Sequence, residues 1–170
     1  MTTELKIKAD ILTEIMLSVF RVNGRLLQKG DQLVEPVNLT SARWQVLGAV
    51  AIAGKPLSAP QIAEAMGMTR QGAQKQLNKL RDDGFFEQLQ NPHHERSPLY
   101  ALTELGKHSF AKTMALQQIW VKQLVDDLSR QDLENTLKIL NSVYERLDSP
   151  VPECPATESK SSTLSPEISI

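Results

Sequence analysis

The segment Thr69-Arg70-Gln71-Gly72-Ala73-Gln74-Lys75-Gln76-Leu77-Asn78-Lys79-Leu80-Arg81 holds no carboxylate, in a chain of 170 residues that carries 20 Asp and Glu. Ala73, Leu77 and Leu80 recur at i, i+4 and i+7, one side of a helical period, while Arg70, Gln71, Gln74, Lys75 and Asn78 fall on the other. This spacing predicts a helix with a narrow apolar stripe turned to a core and a basic, amide-rich face turned to water. Long donor side chains uninterrupted by acids match phosphate oxygens and the base edges of a major groove.

The flanking residues narrow the reading. Upstream, Ser58 as N-cap, Pro60 in the first turn and Gln61 closing a capping box predict a short helix that buries Ile62, Ala63 and Met66. Gly67 stands at a helix-ending position and Thr69 at the cap of the next helix. Two short helices joined by a glycine turn form a helix-turn-helix. Downstream, Asp82-Asp83-Gly84 stops the second helix, Phe85–Leu89 reads as a strand, Asn91–Arg96 as a polar loop and Leu99–Leu102 as the returning strand. A hairpin directly after a helix-turn-helix is a wing. The fold class expected is mainly α with a small β-hairpin wing.

Three stretches resemble the winged-helix domain of the MarR (multiple antibiotic resistance regulator) family of bacterial transcription factors: Leu57-Ser-Ala-Pro-Gln-Ile-Ala63, Leu80-Arg-Asp-Asp-Gly84-Phe85, and Asn91-Pro-His-His-Glu-Arg96 running into Leu102-Thr-Glu-Leu-Gly106. That family's wing runs Asp-Pro-x-Asp-x-Arg, then a strand, then Leu-Thr-x-x-Gly; Pro92, Arg96, Leu102, Thr103 and Gly106 keep the spacing. The resemblance is close over residues 39–106 and extends to the flanking helices by pattern. His94 and Asn91 stand where wing acids are common, and Gln88 where Arg is frequent. Gly72 inside the helix costs about 1 kcal/mol against Ala, so it is expected to permit either close approach to DNA or a tight helix crossing. The resemblance implies a homodimer, and a small phenolic or anionic effector acting between the dimer arm and the DNA lobe.

Outside the lobe, residues 5–32 read as a long helix striped by Ile7, Ile11, Ile15, Val19 and Leu26. Thr40 begins another, turning Trp44, Leu47, Val50 and Ala51 inward; Trp44 is expected to be a core aromatic rather than a ligand-stacking one. Thr103 caps a helix expected over 104–128, and Ser129 a last one whose Leu133, Leu137, Leu140, Tyr144 and Leu147 form a coiled-coil-like seam. These stripes need more partner surface than the lobe offers. A two-fold pair of chains supplies it, against the alternative of a monomer with the helices folded back. The expected organisation is an N-terminal dimerisation helix and linker (1–38), a winged helix-turn-helix domain (39–103), C-terminal dimerisation helices (104–148) and a disordered tail (149–170) rich in Ser, Thr and Pro.

Composition removes most other classes. The formal net charge is −1 and the isoelectric point near 6.3, which counts against a general nucleic-acid binder. Phosphate attraction, however, decays over roughly 8–10 Å in physiological salt, so the local charge matters more. The one cysteine, Cys154, has no internal disulfide partner and no basic neighbour to activate it. The longest apolar run, Val46–Ala53, is far short of a membrane span. A cytoplasmic protein without membrane contact is expected. His93 and His94 are adjacent and lack chelating spacing, and no phosphate loop, nucleophile elbow or paired-carboxylate motif occurs. Neither a cofactor nor an enzymatic activity is expected.

The expected function is a homodimeric, sequence-specific regulator of transcription, most simply a repressor, on a pseudo-palindromic site in double-stranded DNA. Arg70, Gln71, Gln74 and Lys75 are the candidates at base edges and adjacent phosphates, with Thr69 and Asn78 among the DNA-binding residues beside them, Lys79 and Arg81 at phosphates, Arg96 in the minor groove, and Thr40 and Arg43 at a phosphate through free N–H groups of their helix. The alternative is a winged helix that docks proteins without touching DNA; a metal-dependent or ligand-binding protein built on His93 and His94 is a further rival.

Overall fold

In the computed structural model, residues 2–151 are described, and they divide into two units, 2–126 and 127–151. The first unit runs α1 (Thr3–Val34), a 3-10 turn (Glu35–Val37), α2 (Ser41–Ala53), β1 (Leu57–Ser58), α3 (Ala59–Ala65), α4 (Arg70–Asp82), β2 (Phe86–Leu89), β3 (Leu99–Leu102) and α5 (Glu104–Leu124). The second holds α6 (Arg130–Arg146). The expected tail beyond residue 151, with Cys154, lies outside the described residues.

Side-chain caps set where the helices begin. Thr69 Oγ1 accepts from the Gly72 N–H at 3.0 Å, Thr103 Oγ1 from the Gly106 N–H at 3.1 Å, and Ser129 Oγ from the Asp132 N–H at 3.1 Å. At α3, Gln61 Oε1 reaches back to accept from the Ser58 N–H at 2.9 Å. Each such cap contributes about 1 kcal/mol by satisfying a donor that has no partner inside the helix. Gly67, at φ 60°, ends the α3 turn in a conformation that L side chains rarely adopt. Helix α5 stops at Leu124, earlier than the expected Leu128. Asp126 and Asp127 follow, and carboxylates at a helix C-terminus oppose its dipole.

The core lies where α2, α3, α4 and the sheet meet. Val34, Leu39, Val46, Leu47, Val50, Ile62, Leu77, Leu80, Phe86 and Tyr100 are buried in one cluster, and burying each large side chain contributes roughly 1.5–3 kcal/mol. Ala73, Leu77 and Leu80, the expected inner stripe of α4, are each 0% exposed. Trp44 packs against this cluster half-buried, so it is a core aromatic with one open side.

The sheet has three strands rather than the two expected. Its order is β1-β3-β2, both pairs antiparallel, with Leu57 opposite Tyr100 and Gln88 on Tyr100's other side. Strand β1 is two residues long, too short to show an alternation in sequence.

Within the first unit, α1 is about 48 Å long at 1.5 Å per residue. Its last two turns are fastened to α2: the Asp31 carboxylate accepts from the Ser41 N–H at 2.6 Å, and Ser41 Oγ donates to the Leu27 carbonyl at 2.7 Å. Toward its start, Leu5, Ile7, Ile11, Leu17, Val19 and Phe20 are exposed, Phe20 at 71%. In the second unit the α6 seam, Leu133, Leu137, Leu140, Tyr144 and Leu147, is exposed throughout.

Candidate nucleic-acid interface

Helix α4 turns Arg70, Gln71, Lys75, Asn78 and Lys79 to solvent, with its cap Thr69 exposed at one end. Gln71, Gln74, Lys75, Asn78, Lys79 and Asp82 line a shallow concavity of about 520 Å³ along this face. Arg70, Gln71 and Lys75 make no side-chain hydrogen bond or ion pair to any described residue, which leaves their donors for a ligand. The other polar groups of the face are engaged. Gln74 is half-buried, and its Nε2 donates to Asn78 Oδ1 and to the Tyr100 hydroxyl, each at 2.9 Å.

The C-terminal end of α4 differs from its sequence reading. Asp82 and Asp83, expected only to stop the helix, gather three cations. Asp83 takes Lys79 at 2.8 Å and Arg43 at 3.5 Å, while Asp82 takes Arg81 at 2.9 Å. Arg81 also donates to Gln88 of β2 at 3.3 Å. The candidates Lys79 and Arg43 therefore share one carboxylate, Asp83, which offsets part of their charge in the unbound chain. The phosphate site expected at the start of α2 is also partly filled. The Ser41 N–H goes to Asp31 and the Arg43 N–H to Thr40 Oγ1, so neither is free for a phosphate.

The wing tip is built by Asn91. This side chain, 7% exposed, accepts from the His93 N–H at 3.0 Å through Oδ1 and donates to the Ser97 carbonyl at 2.7 Å through Nδ2. The His94 carbonyl accepts the Ser97 N–H at 2.9 Å and closes the turn. The loop so held projects His93, His94, Glu95 and Arg96 into solvent, and the Arg96 guanidinium has no acid partner among the described residues. No group of three or more His, Cys, Asp or Glu able to hold a metal occurs among the described residues.

Thr103 and Gly106 join the wing to α5. The Thr103 N–H donates to the Phe85 carbonyl at 3.1 Å and its hydroxyl donates to the Gly84 carbonyl at 2.7 Å. A Cβ on Gly106 would collide with the Phe85 carbonyl oxygen, which gives the Leu-Thr-x-x-Gly spacing its physical reason. At Gly72 a Cβ would sit 3.1 Å from Thr69 Oγ1, a close contact with the cap hydroxyl, and no crossing helix meets it.

Next to this joint, the hydrogen bond and charge of Lys107 hold the Glu104 carboxyl below its ordinary range, and Glu104 raises Lys107 in return. Both are exposed on α5. Any stability from the ionised Glu104 is present near neutrality and is lost only as pH falls through its lowered pKa.

Two open grooves flank α2. One, about 480 Å³, lies among Val50, Pro56, Leu102 and Phe110 with Lys55, Lys107 and Glu87 at its rim. The other, about 400 Å³, lies among Trp44, Met66, Phe110 and Met114. Sequence reasoning missed the roles of Asp31, Ser41, Asn91 and Tyr100, Asn91 being read only as a departure from a wing acid. Of these only Asn91 left a signal, as an Asn ahead of Pro in a turn.

Comparison with known proteins bears on the fold and the family. The MarR family model matches residues 37–97. An uncharacterised protein of Mycobacterium tuberculosis is 37% identical over 99 residues, 58% of this chain and 68% of that one. The transcriptional activatory protein BadR of Rhodopseudomonas palustris is 24% identical over 159 residues, 89% of this chain and 90% of its own. Among solved structures, the transcriptional regulator BldR of Sulfolobus solfataricus superposes with a TM-score of 0.73 at 18% identity, covering 82% of this chain and 98% of that one. A MarR variant of E. coli complexed with operator DNA gives 0.63 at 22% identity (78% and 97%). CouR of Rhodococcus jostii, bound to p-coumaroyl-CoA, gives 0.69 at 18% identity (81% and 95%). From the matched lobe, the shared helix order and the wing that follows α4, the chain belongs to the MarR family of winged-helix transcriptional regulators.

Proposed function

We propose that two copies of this chain bind a pseudo-palindromic DNA site, each placing α4 in a major groove and the Arg96 wing in the adjacent minor groove. The observation that carries this reading is the open donor face of α4, where Arg70, Gln71 and Lys75 have no partner within the described chain and no acid precedes Asp82. Thr69 and Asn78 border that face; Gln74 reads one base position; Lys79 and Arg43 reach phosphates only by leaving Asp83. Support for the pairing comes from exposed apolar stripes on α1 and on α6, since large exposed apolar patches mark association surfaces. Two-fold helix-turn-helix dimers space their half-sites by one helical turn, roughly 34 Å.

Occupying a promoter in this way blocks initiation, so repression is the simplest outcome; the name of BadR indicates that the opposite sign is compatible with the family. A reporter placed downstream of the bound site reads the sign. A small aromatic or anionic effector is part of the reading, by analogy with CouR and its CoA ester. The cell interior is where such a protein meets DNA, and no described helix is long and apolar enough to cross a membrane.

The test is duplex binding across a salt series. Affinity should fall by orders of magnitude between low and moderate salt, and Arg96→Ala should flatten the log–log slope by about one on every sequence. Salt-independent behaviour, or no duplex binding at all, would instead favour the protein-docking alternative. The acid pairing of Arg43, Lys79 and Arg81 is the observation on that side.

A further inference from the structure

The geometry points to Tyr100 as a specificity-determining positioning residue: from inside the wing it fixes which end of the Gln74 carboxamide is offered to a base. This rests on the placement of α4 in the major groove and deepens it. Tyr100 lies in the middle strand of the sheet, 1% exposed, with its ring edge-on to Phe86 at 6.4 Å between centroids. Its hydroxyl accepts one Nε2 hydrogen of Gln74 and Asn78 Oδ1 accepts from the same nitrogen, both at 2.9 Å. A carboxamide nitrogen has two hydrogens. Both are spent inside the protein, and Gln74 retains only its Oε1 acceptor for a ligand at the concave face it lines.

That commitment changes what Gln74 is able to read. A free glutamine pairs with adenine in two places, accepting from N6 and donating to N7. With Nε2 occupied, only an acceptor remains, and it suits any base edge that presents an amine in the major groove: adenine N6 or cytosine N4. Guanine O6 and thymine O4 oppose it with a second acceptor. Gln74 is thus expected to accept adenine or cytosine at one position per half-site and to reject guanine and thymine. The rule holds while Nε2 is turned to both Asn78 and Tyr100, and one of these two partners is a hydroxyl that never touches DNA.

The experiment equilibrates the full chain, Tyr100→Phe and Gln74→Ala with a duplex library whose central segment is randomised, followed by sequencing of the bound fraction. The parent should enrich A and C over G and T at one position in each half-site, and Gln74→Ala should erase that preference. Tyr100→Phe keeps the ring against Phe86 and frees one Nε2 hydrogen. At that same position alone it should raise A over C by about fivefold, the worth of one added hydrogen bond. An unchanged A-to-C ratio in Tyr100→Phe, a parent preference for G or T there, or a loss spread over the whole site would overturn the inference. Should Tyr100→Phe melt early, the selection is repeated below its melting temperature, where the same shift must appear or the inference fails. A parent that selects no sequence removes the groove placement itself. One that selects a sequence but is indifferent to Tyr100→Phe removes only the role of Tyr100.

Discussion

Asn91 shows how one side chain organises a loop that has no regular structure. Its carboxamide both accepts from His93 and donates to Ser97, and an aspartate, common at this position in the resemblance, is able to do only the first. Asn91→Asp would place a charge at a 7%-exposed position against the Ser97 carbonyl. It should lower stability by about 1–3 kcal/mol, the usual cost of a buried polar group left unpaired, read from a thermal or urea melt. Gly106 is constrained in the opposite way, by what it lacks. Gly106→Ala sets a methyl against the Phe85 carbonyl oxygen, and backbone yields less than a side chain. The expected loss lies toward the upper end of the roughly 1–3 kcal/mol typical of overpacking, more than the about 1 kcal/mol helix gain returns. A variant that melts at or above the parent temperature would remove that explanation of the motif.

At the scale of elements, α4 is a donor face bounded by an acidic clasp. Asp83 holds Lys79 and Arg43 in the free chain, so Asp83→Asn should release two cations. The salt dependence of duplex binding should steepen by about one for each that reaches a phosphate, at most about two. An unchanged slope would mean that neither side chain approaches the backbone of the duplex. The elements themselves were largely legible in the sequence, because each helix start carries its own oxygen-bearing cap and Ala73, Leu77 and Leu80 repeat at a helical period. The exposure of Arg70, Gln71 and Lys75 followed from the same period. What escaped was set by tertiary partners. Nothing near Gln74 in sequence announces Tyr100, 26 residues away. Nothing near Arg43 announces Asp83, and the two residues of β1 form a strand only because β3 is there to pair with them.

For the whole molecule, the apolar stripe of α1 is the main unpartnered surface of the first unit, and Phe20 at 71% exposure is its most open large side chain. If the proposed pairing runs through this stripe, Phe20→Glu should leave the melt of the winged-helix lobe intact while shifting the sedimenting species from dimer to monomer. Affinity for a two-half-site duplex should fall by at least about a hundredfold, since the second contact ceases to be intramolecular. A variant that still sediments as a dimer would move the pairing surface elsewhere. The clamp of Asp31 and Leu27 on Ser41 gives the long first helix a mechanical property. It is a stiff beam pinned near one end, so a rotation of about 5° at the pin sweeps the far tip through about 4 Å at 1.5 Å of rise per residue. A displacement too slight to register beside the pin becomes, at the tip, comparable to the spacing between neighbouring base pairs.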